Sequence, residues 1–88
     1  DPNPDEFGYL EEYRVNAKDG YANMREKPTK DSKVISKLDN EIIVRYITKY
    51  GDWYYVYYAD YPSDYKNDPT VKEYRGFIHK SQLEKCVY

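Results

Sequence analysis

The side chains best suited to binding chemistry lie in one short run, residues 51–58, which reads Gly-Asp-Trp-Tyr-Tyr-Val-Tyr-Tyr. The run holds the single tryptophan and four of the thirteen tyrosines of the 88-residue chain. Flat side chains at this density favour a β-strand, because they pack well across neighbouring strands. Both faces of the strand would be aromatic, so one set of rings can fill a core while the other meets a ligand. The run therefore indicates binding rather than catalysis.

Alternation along the strand separates its side chains into two sets. The set that we expect to be the core is Tyr54, Val56 and Tyr58. We expect Trp53 to anchor a ligand from the other face, because tryptophan and tyrosine give large contact area at little entropic cost. Its expected neighbours include Tyr74. The complete set of predicted ligand-binding residues is Trp53, Tyr55, Tyr57, Tyr21, Asn23, Arg25, Tyr61, Tyr65 and Tyr74.

Three of these residues have a more specific expectation. Arg25 can clamp a carboxylate of the ligand, or alternatively it stabilises its own loop. Tyr61 and Tyr65 belong to a polar connection over residues 59–73, which contains two prolines and four acids. Long loops in compact domains often carry function, so these two tyrosines are expected either to extend the binding surface or to cover it.

Catalytic and metal-binding interpretations find little support in the residue types. His79 is the only histidine and Cys86 the only cysteine, so the chain can form neither an internal disulfide nor a multi-cysteine zinc site. The two could form a nucleophilic pair, or they could be structural, with His79 fixing a turn and Cys86 serving as a small apolar filler. We favour the structural interpretation. The prediction is a protein that is not an enzyme, with no catalytic residue, no metal and no cofactor.

Charge argues against a polyanionic partner. The formal net charge is −2 and the pI is about 5.4. Residues 1–12 carry five acids and no base, which predicts an acidic, proline-containing leader or linker, and the remainder carries 14 basic and 11 acidic residues. Binding of single-stranded nucleic acid is the less favoured alternative to peptide binding, because exposed rings can stack bases and four arginines can contact phosphates. No apolar stretch approaches the roughly 20 residues of a membrane-spanning helix.

The elements that would position these residues are short strands. Alternating patterns predict strands near residues 13–17, 21–25, 34–38, 42–49, 53–58, 74–78 and 84–87, with a single 3-10 or helical turn at 79–83. Within 42–49 we expect Val44 to point inward and Arg45 outward, and within 21–25 we expect Ala22 and Met24 to share a face. The predicted fold is all-β, a small partly open barrel of five to seven strands.

Three segments in this order resemble the bacterial SH3 (SH3b) domain. They are 19–28 (Asp-Gly-Tyr-Ala-Asn-Met-Arg-Glu-Lys-Pro), 51–56 (Gly-Asp-Trp-Tyr-Tyr-Val) and 76–83 (Gly-Phe-Ile-His-Lys-Ser-Gln-Leu). The resemblance covers about residues 13–86 and implies an SH3-like barrel over 13–88. Two features depart from the family pattern: Asn40-Glu41 replaces the glycine before the central strand, and the connection at 59–73 is longer than usual.

The resemblance implies a non-catalytic module that recognises a peptide or protein through an aromatic groove. Many such domains accompany cell-wall hydrolases, so a peptidoglycan stem peptide is an expected ligand and the bacterial cell envelope, periplasmic or extracellular, an expected location. The alternative is a structural or inhibitory (immunity-like) protein–protein module. Eukaryotic SH3 domains share the tryptophan, but His79 and Leu83 stand where their groove has proline and tyrosine. Proline-rich ligands are therefore not expected.

Overall fold

The computed structural model describes residues 11–64 and 66–87. Within these ranges the secondary structure is seven strands and one 3-10 turn, Lys80–Gln82. The strands are β1 (Glu12–Val15), β2 (Tyr21–Arg25), β3 (Val34–Asp39), β4 (Ile43–Tyr50), β5 (Trp53–Asp60), β6 (Lys72–His79) and β7 (Leu83–Lys85). The all-β prediction, with seven short strands and a single turn near the C-terminus, is confirmed.

All seven strands join one antiparallel sheet in the order β3-β2-β6-β5-β4-β1-β7. The sheet curls into a half-barrel with β3 and β7 at its two edges, consistent with an SH3-like fold. β5 lies at the centre of the order, paired with β4 on one side and β6 on the other. Residues 53–57 of the aromatic run are therefore flanked by strands on both sides.

The concave side of the sheet holds a small hydrophobic core. Ala22 and Met24 of β2 are buried together with Val44 of β4, as the alternation predicts. Burying a valine or methionine side chain completely stabilises a fold by roughly 1.5–3 kcal/mol. We call the face of each strand that points to this core the inner face, and the opposite one the outer face. The buried hydrophobic residues are Val15, Ala17, Ala22, Met24, Leu38, Val44, Val56 and Ile78.

The turn before β4 contains a residue in a left-handed backbone conformation, although the glycine of the family pattern is absent there. Glu41 adopts a φ of 80°, in the left-handed region that glycine normally occupies. The preceding residue supports the turn: Asn40 Oδ1 accepts from the Ala17 N–H at 2.8 Å, and Asn40 Nδ2 donates to the Ala17 carbonyl at 3.1 Å. This two-way bond stabilises the unfavourable dihedral, which costs about 1 kcal/mol or more.

The β5–β6 hairpin is longer than expected and its connection shorter. Ala59 pairs with Glu73 and Asp60 pairs with Lys72, so four residues assigned to the connection at 59–73 belong to strands. The side chains of Asp60 and Lys72 are exposed and do not show the hydrophobic alternation that predicts a strand. Backbone hydrogen bonds to the partner strand nevertheless continue there, which leaves residues 61–71 as the connection.

The described residues contain no helix long and apolar enough to cross a membrane.

Candidate functional site: a cleft beside Trp53

The outer face of the β5–β6 hairpin carries a row of paired aromatic rings. Trp53 lies opposite His79, Tyr55 opposite Phe77, and Tyr57 opposite Arg75. The Trp53 and His79 rings meet edge-on, with centroids 5.1 Å apart and planes at 89°. The Tyr55 and Phe77 centroids are 4.8 Å apart. These contacts hold the outer rings in defined positions although none of them is fully buried.

A cleft of about 390 Å³ opens beside Trp53. It lies between β2, the loop that follows β2, and the 3-10 turn, so residues distant in sequence form its walls. Its size falls within the range of small-ligand sites. The lining combines one large ring with amides, a hydroxyl and two cations: Asn23, Arg25, Lys30, Trp53, His79, Ser81 and Gln82.

His79 joins the aromatic wall to the 3-10 turn. Its Nδ1 accepts from the Ser81 N–H at 3.3 Å and lies 2.9 Å from Ser81 Oγ. Since only an unprotonated ring nitrogen can accept from an N–H, the neutral tautomer in this arrangement carries its proton on Nε2. His79 therefore caps the turn while its ring packs against Trp53, the structural role expected for it.

The 3-10 turn is also attached to the turn between β4 and β5. The Lys80 N–H donates to the Asp52 carbonyl at 2.9 Å, and Lys80 Nζ lies 3.2 Å from Asp52 Oδ1. Both attachments are adjacent in sequence to residues of the Trp53–His79 pair. They fix the wall formed by Ser81 and Gln82 relative to the tryptophan.

Arg25 organises the loop on the other side of the cleft. Its Nη1 donates to the Ser32 carbonyl at 2.9 Å, and the Lys27 N–H donates to Ser32 Oγ at 2.8 Å. The loop also closes on itself, since the Glu26 N–H donates to the Lys33 carbonyl at 2.9 Å. The loop-stabilising interpretation of Arg25 is thus confirmed. A guanidinium has five N–H donors, so this bond is compatible with a carboxylate contact in the cleft.

The structure brings together only part of the predicted binding set. Trp53, Asn23 and Arg25 all line the cleft. Tyr55 lies beyond Trp53 on the same face and packs on Phe77. Tyr21 occupies the outer face of β2 with Lys37 Nζ 4.3 Å from its ring centroid, and it does not line the cleft.

The remaining predicted residues lie elsewhere. Tyr57 and Tyr61 line a separate cavity of about 350 Å³ together with Arg45. Tyr65 lies outside the described residues. The expectation that Tyr74 neighbours Trp53 is wrong: the β5–β6 register pairs Tyr74 with Tyr58, and the two rings stack with centroids 6.2 Å apart. Because this pair packs against the core, Tyr74 points to the inner face.

Four lining residues were absent from the predicted binding set: Lys30, His79, Ser81 and Gln82. Lys30 enters through the fold of its loop, which no sequence pattern reveals. Ser81 and Gln82 follow directly after His79, which pairs with Trp53. The position of the 3-10 turn at the end of a strand adjoining the tryptophan was the available signal for these two residues.

Two tyrosines on the inner face, Tyr13 and Tyr46, have raised pKa values. Burial raises the pKa of Tyr13 to about 12, with further contributions from the charges of Tyr54 and Glu11 and from a hydrogen bond with Tyr54. Burial, followed by the charges of Glu11 and Tyr54, also raises the pKa of Tyr46. The Tyr13 ring lies edge-on to Tyr54 at 5.2 Å. These hydroxyls remain protonated at neutral pH and belong to packing rather than to the cleft.

Within residues 11–64 and 66–87, no group of three or more histidine, cysteine, aspartate or glutamate side chains is arranged to hold a metal ion. The cleft itself is lined by cations, amides and a hydroxyl rather than by carboxylates.

A family model described as bacterial SH3 domain matches residues 20–84. The chain belongs to this family. No curated protein and no solved structure matches it. Every residue that lines the cleft falls within the matched range. Bacterial SH3 domains are in general non-catalytic modules that bind peptide or protein ligands, and they are often associated with the cell wall and the cell envelope.

Proposed function

We propose that this bacterial SH3 domain is a non-catalytic module that binds a short peptide in the cleft beside Trp53. The observation that carries the proposal is the composition of the cleft walls. One face is a tryptophan held edge-on by His79, and the opposite sides present amides and cations. A flat ring provides apolar contact area, while amides can pair with the backbone groups of an extended peptide.

The charge of the lining favours a ligand with a free carboxylate. Arg25 and Lys30 both line the cleft, and no acidic side chain is among its lining residues. The Arg25 guanidinium is held at Ser32, so part of the entropic cost of ordering it is met before a ligand binds. Charge-assisted hydrogen bonds to a carboxylate are about twice as strong as neutral ones.

Peptides of the bacterial cell wall combine a short chain with carboxylates, and the family is often cell-wall related. We therefore propose a peptidoglycan stem peptide as the ligand, and the cell envelope, periplasmic or extracellular, as the location. The alternative of a structural or inhibitory protein–protein module predicts a single protein partner in place of the wall.

Cosedimentation with purified peptidoglycan tests the proposal. The wild-type domain should pellet with the wall material, and Trp53→Ala should remain in the supernatant. Tyr50→Ala is the matched control, since Tyr50 is an exposed aromatic residue that lies opposite Trp53 on β4 but does not line the cleft. This control should pellet like the wild type.

Two outcomes would contradict the assignment. If Trp53→Ala keeps the far-ultraviolet circular dichroism and the cooperative thermal unfolding of the wild type and still pellets, the cleft is not the binding site. If the wild type does not pellet but captures one protein from a lysate, the wall-peptide ligand is wrong and the protein-directed alternative takes its place.

A further inference from the structure

A third cavity opens on the outer face of the sheet, further along β5 from Trp53, and it shares Arg45 and Tyr57 with the cavity that Tyr61 lines. It has a volume of about 210 Å³ and is lined by Arg45, Tyr46, Ile47, Tyr57 and Arg75. None of these residues lines the cleft beside Trp53. Both charged residues of this lining are arginines, one from β4 and one from β6, so the cavity is a cationic site separate from the proposed peptide cleft.

The two arginines flank a tyrosine in one cross-strand row. Arg45 pairs with Tyr57 in the β4–β5 ladder, and Tyr57 pairs with Arg75 in the β5–β6 ladder. Adjacent strands lie about 4.8 Å apart, so one arginine stands on each side of the ring. The Arg75 guanidinium carbon is 5.1 Å from the Tyr57 ring centroid. The row therefore presents guanidinium N–H donors beside an aromatic ring.

The ion pair between Arg45 and Glu12 is long and partly exposed. Arg45 Nε lies 3.8 Å from Glu12 Oε2, and the Arg45 side chain is 57% exposed. Exposed ion pairs at such distances contribute about 0–1 kcal/mol. A ligand carboxylate can thus compete for the guanidinium at small energetic cost.

An apolar side chain adjoins the cations at a point where β4 is irregular. The β4–β5 register shifts between Tyr46 and Thr48, which leaves Ile47 unpaired and 43% exposed. A bulge of this kind redirects a side chain relative to a regular strand. Ile47 contributes apolar surface to the cavity beside Arg45 and Tyr57.

We propose that the row of Arg45, Tyr57 and Arg75, together with Ile47, docks an acidic segment of a partner protein. The segment presents a carboxylate to the guanidiniums and an adjacent apolar side chain to Ile47 and the tyrosine ring. Charge complementarity and the exposed isoleucine both point to this chemistry. The inference concerns a different surface from the cleft and does not depend on the ligand proposed there.

A peptide fits this surface better than a single-stranded nucleic acid. Glu12 lies beside Arg45, and Tyr57 is hydrogen-bonded to Glu73. A continuous phosphate chain would pass these carboxylates and be repelled by them. A peptide whose carboxylates are spaced apart can contact the two arginines without passing the neighbouring acids. The surface therefore favours an acidic peptide over a nucleic acid.

Fluorescence anisotropy with a capped hexapeptide of alternating glutamate and leucine tests the proposal on the whole domain. Binding is expected for this probe, and it should weaken as salt is added. Arg45→Ala and Arg75→Ala should each weaken binding by up to about fivefold, and the double variant should lose more than either. Lys18→Ala, which removes one positive charge at an exposed position outside the cavity, should leave the affinity unchanged.

Three results would overturn the inference. The first is equal affinity for a matched glutamine–leucine peptide, because the arginines would then not recognise charge. The second is tighter binding of an oligodeoxythymidylate than of the acidic peptide, which would assign the surface to nucleic acid. The third is unchanged affinity in the folded double variant. Peptidoglycan binding through Trp53 is measured separately, so neither proposal's failure implies the other's.

Discussion

The two faces of the β5–β6 hairpin both carry aromatic residues, but the inner face packs on the core and the outer face forms an accessible surface. On the inner face Val56 and Ile78 are completely buried, and Tyr54 and Tyr58 pack at the margin of the core. On the outer face the rings are only half-buried and contact one another edge-on or tilted, beside three cavities. The difference comes from strand parity, since successive side chains point to opposite sides.

The comparison teaches that ring content alone does not identify a binding face. Tyr74 and Tyr55 are both half-buried tyrosines of this hairpin, yet one stacks on Tyr58 at the core and the other packs on Phe77 outside. If the assignment of faces is right, substitutions on the inner face should change stability, and those on the outer face should change binding.

The largest expected effect is a difference in the free energy of unfolding between variants at Ile78 and Arg75, which lie on opposite faces of β6. Ile78→Ala should lower the free energy of unfolding by about 2–5 kcal/mol, because it removes a fully buried side chain and leaves a cavity. Arg75→Ala, on the outer face, should change it by less than about 1 kcal/mol, since it removes an exposed cation–π contact. Urea denaturation followed by circular dichroism measures both. Similar losses in the two variants would contradict the assignment of faces.

A somewhat smaller effect is expected from adding a single methyl group at Gly76. This glycine lies on the inner face opposite Val56, and a Cβ there would lie 2.5 Å from Met24 Cγ and 2.8 Å from the Arg25 carbonyl oxygen. The close approach of β2 requires glycine, because a backbone atom cannot move away as a flexible side chain can. Gly76→Ala should therefore cost about 1–3 kcal/mol.

The same urea experiment tests the Gly76 prediction, with the thermal midpoint as a second measure. Wild-type stability in Gly76→Ala would show that β2 and β6 are packed less tightly than the structure indicates. The effect should exceed that of Arg75→Ala on the same strand, which makes Arg75→Ala its reference.

The smallest expected effect concerns alkaline pH. The pKa of Tyr13 is raised from 10.0 in the unfolded chain to about 12 in the fold, so the folded state holds this proton more tightly. The resulting stability is complete below about pH 10 and is lost as the pH rises towards about 12. Tyr13→Phe should therefore show a shallower loss of stability than the wild type over that interval.

Unfolding curves in urea at a series of pH values between about 9 and 12 measure this slope. Parallel pH dependence in the variant and the wild type would show that Tyr13 does not contribute. The variant also lacks the hydrogen bond between Tyr13 and Tyr54, so its stability below about pH 9 differs from that of the wild type, and the slope above that pH is the quantity to compare.

Much of the fold could be predicted because local patterns set it. The alternation of Ala22 and Met24 gave the buried face of β2, and that of Val44 and Arg45 gave the faces of β4. The extension of the β5–β6 hairpin to Asp60 and Lys72 could not be predicted. These two residues belong to strands because the backbones of β5 and β6 pair there. Side-chain patterns carry no record of such pairing.

The candidate site was predictable only in part, for a related reason. Trp53 stood out by residue type, and Asn23 and Arg25 by the alternation of their strand. Tyr74 was misplaced, because its neighbour depends on the register between β5 and β6, and a shift of one residue moves a side chain to the opposite face.

By itself the sequence determined an all-β domain with a tryptophan-centred aromatic strand, because composition and alternation act within a few residues. The tertiary structure decided which residues meet across the chain. It brought Lys30, Ser81 and Gln82 to the cleft, set Arg45 and Arg75 on either side of Tyr57, and turned Tyr74 towards the core. These outcomes depend on strand order, register and loop closure, which arise from contacts between residues distant in sequence.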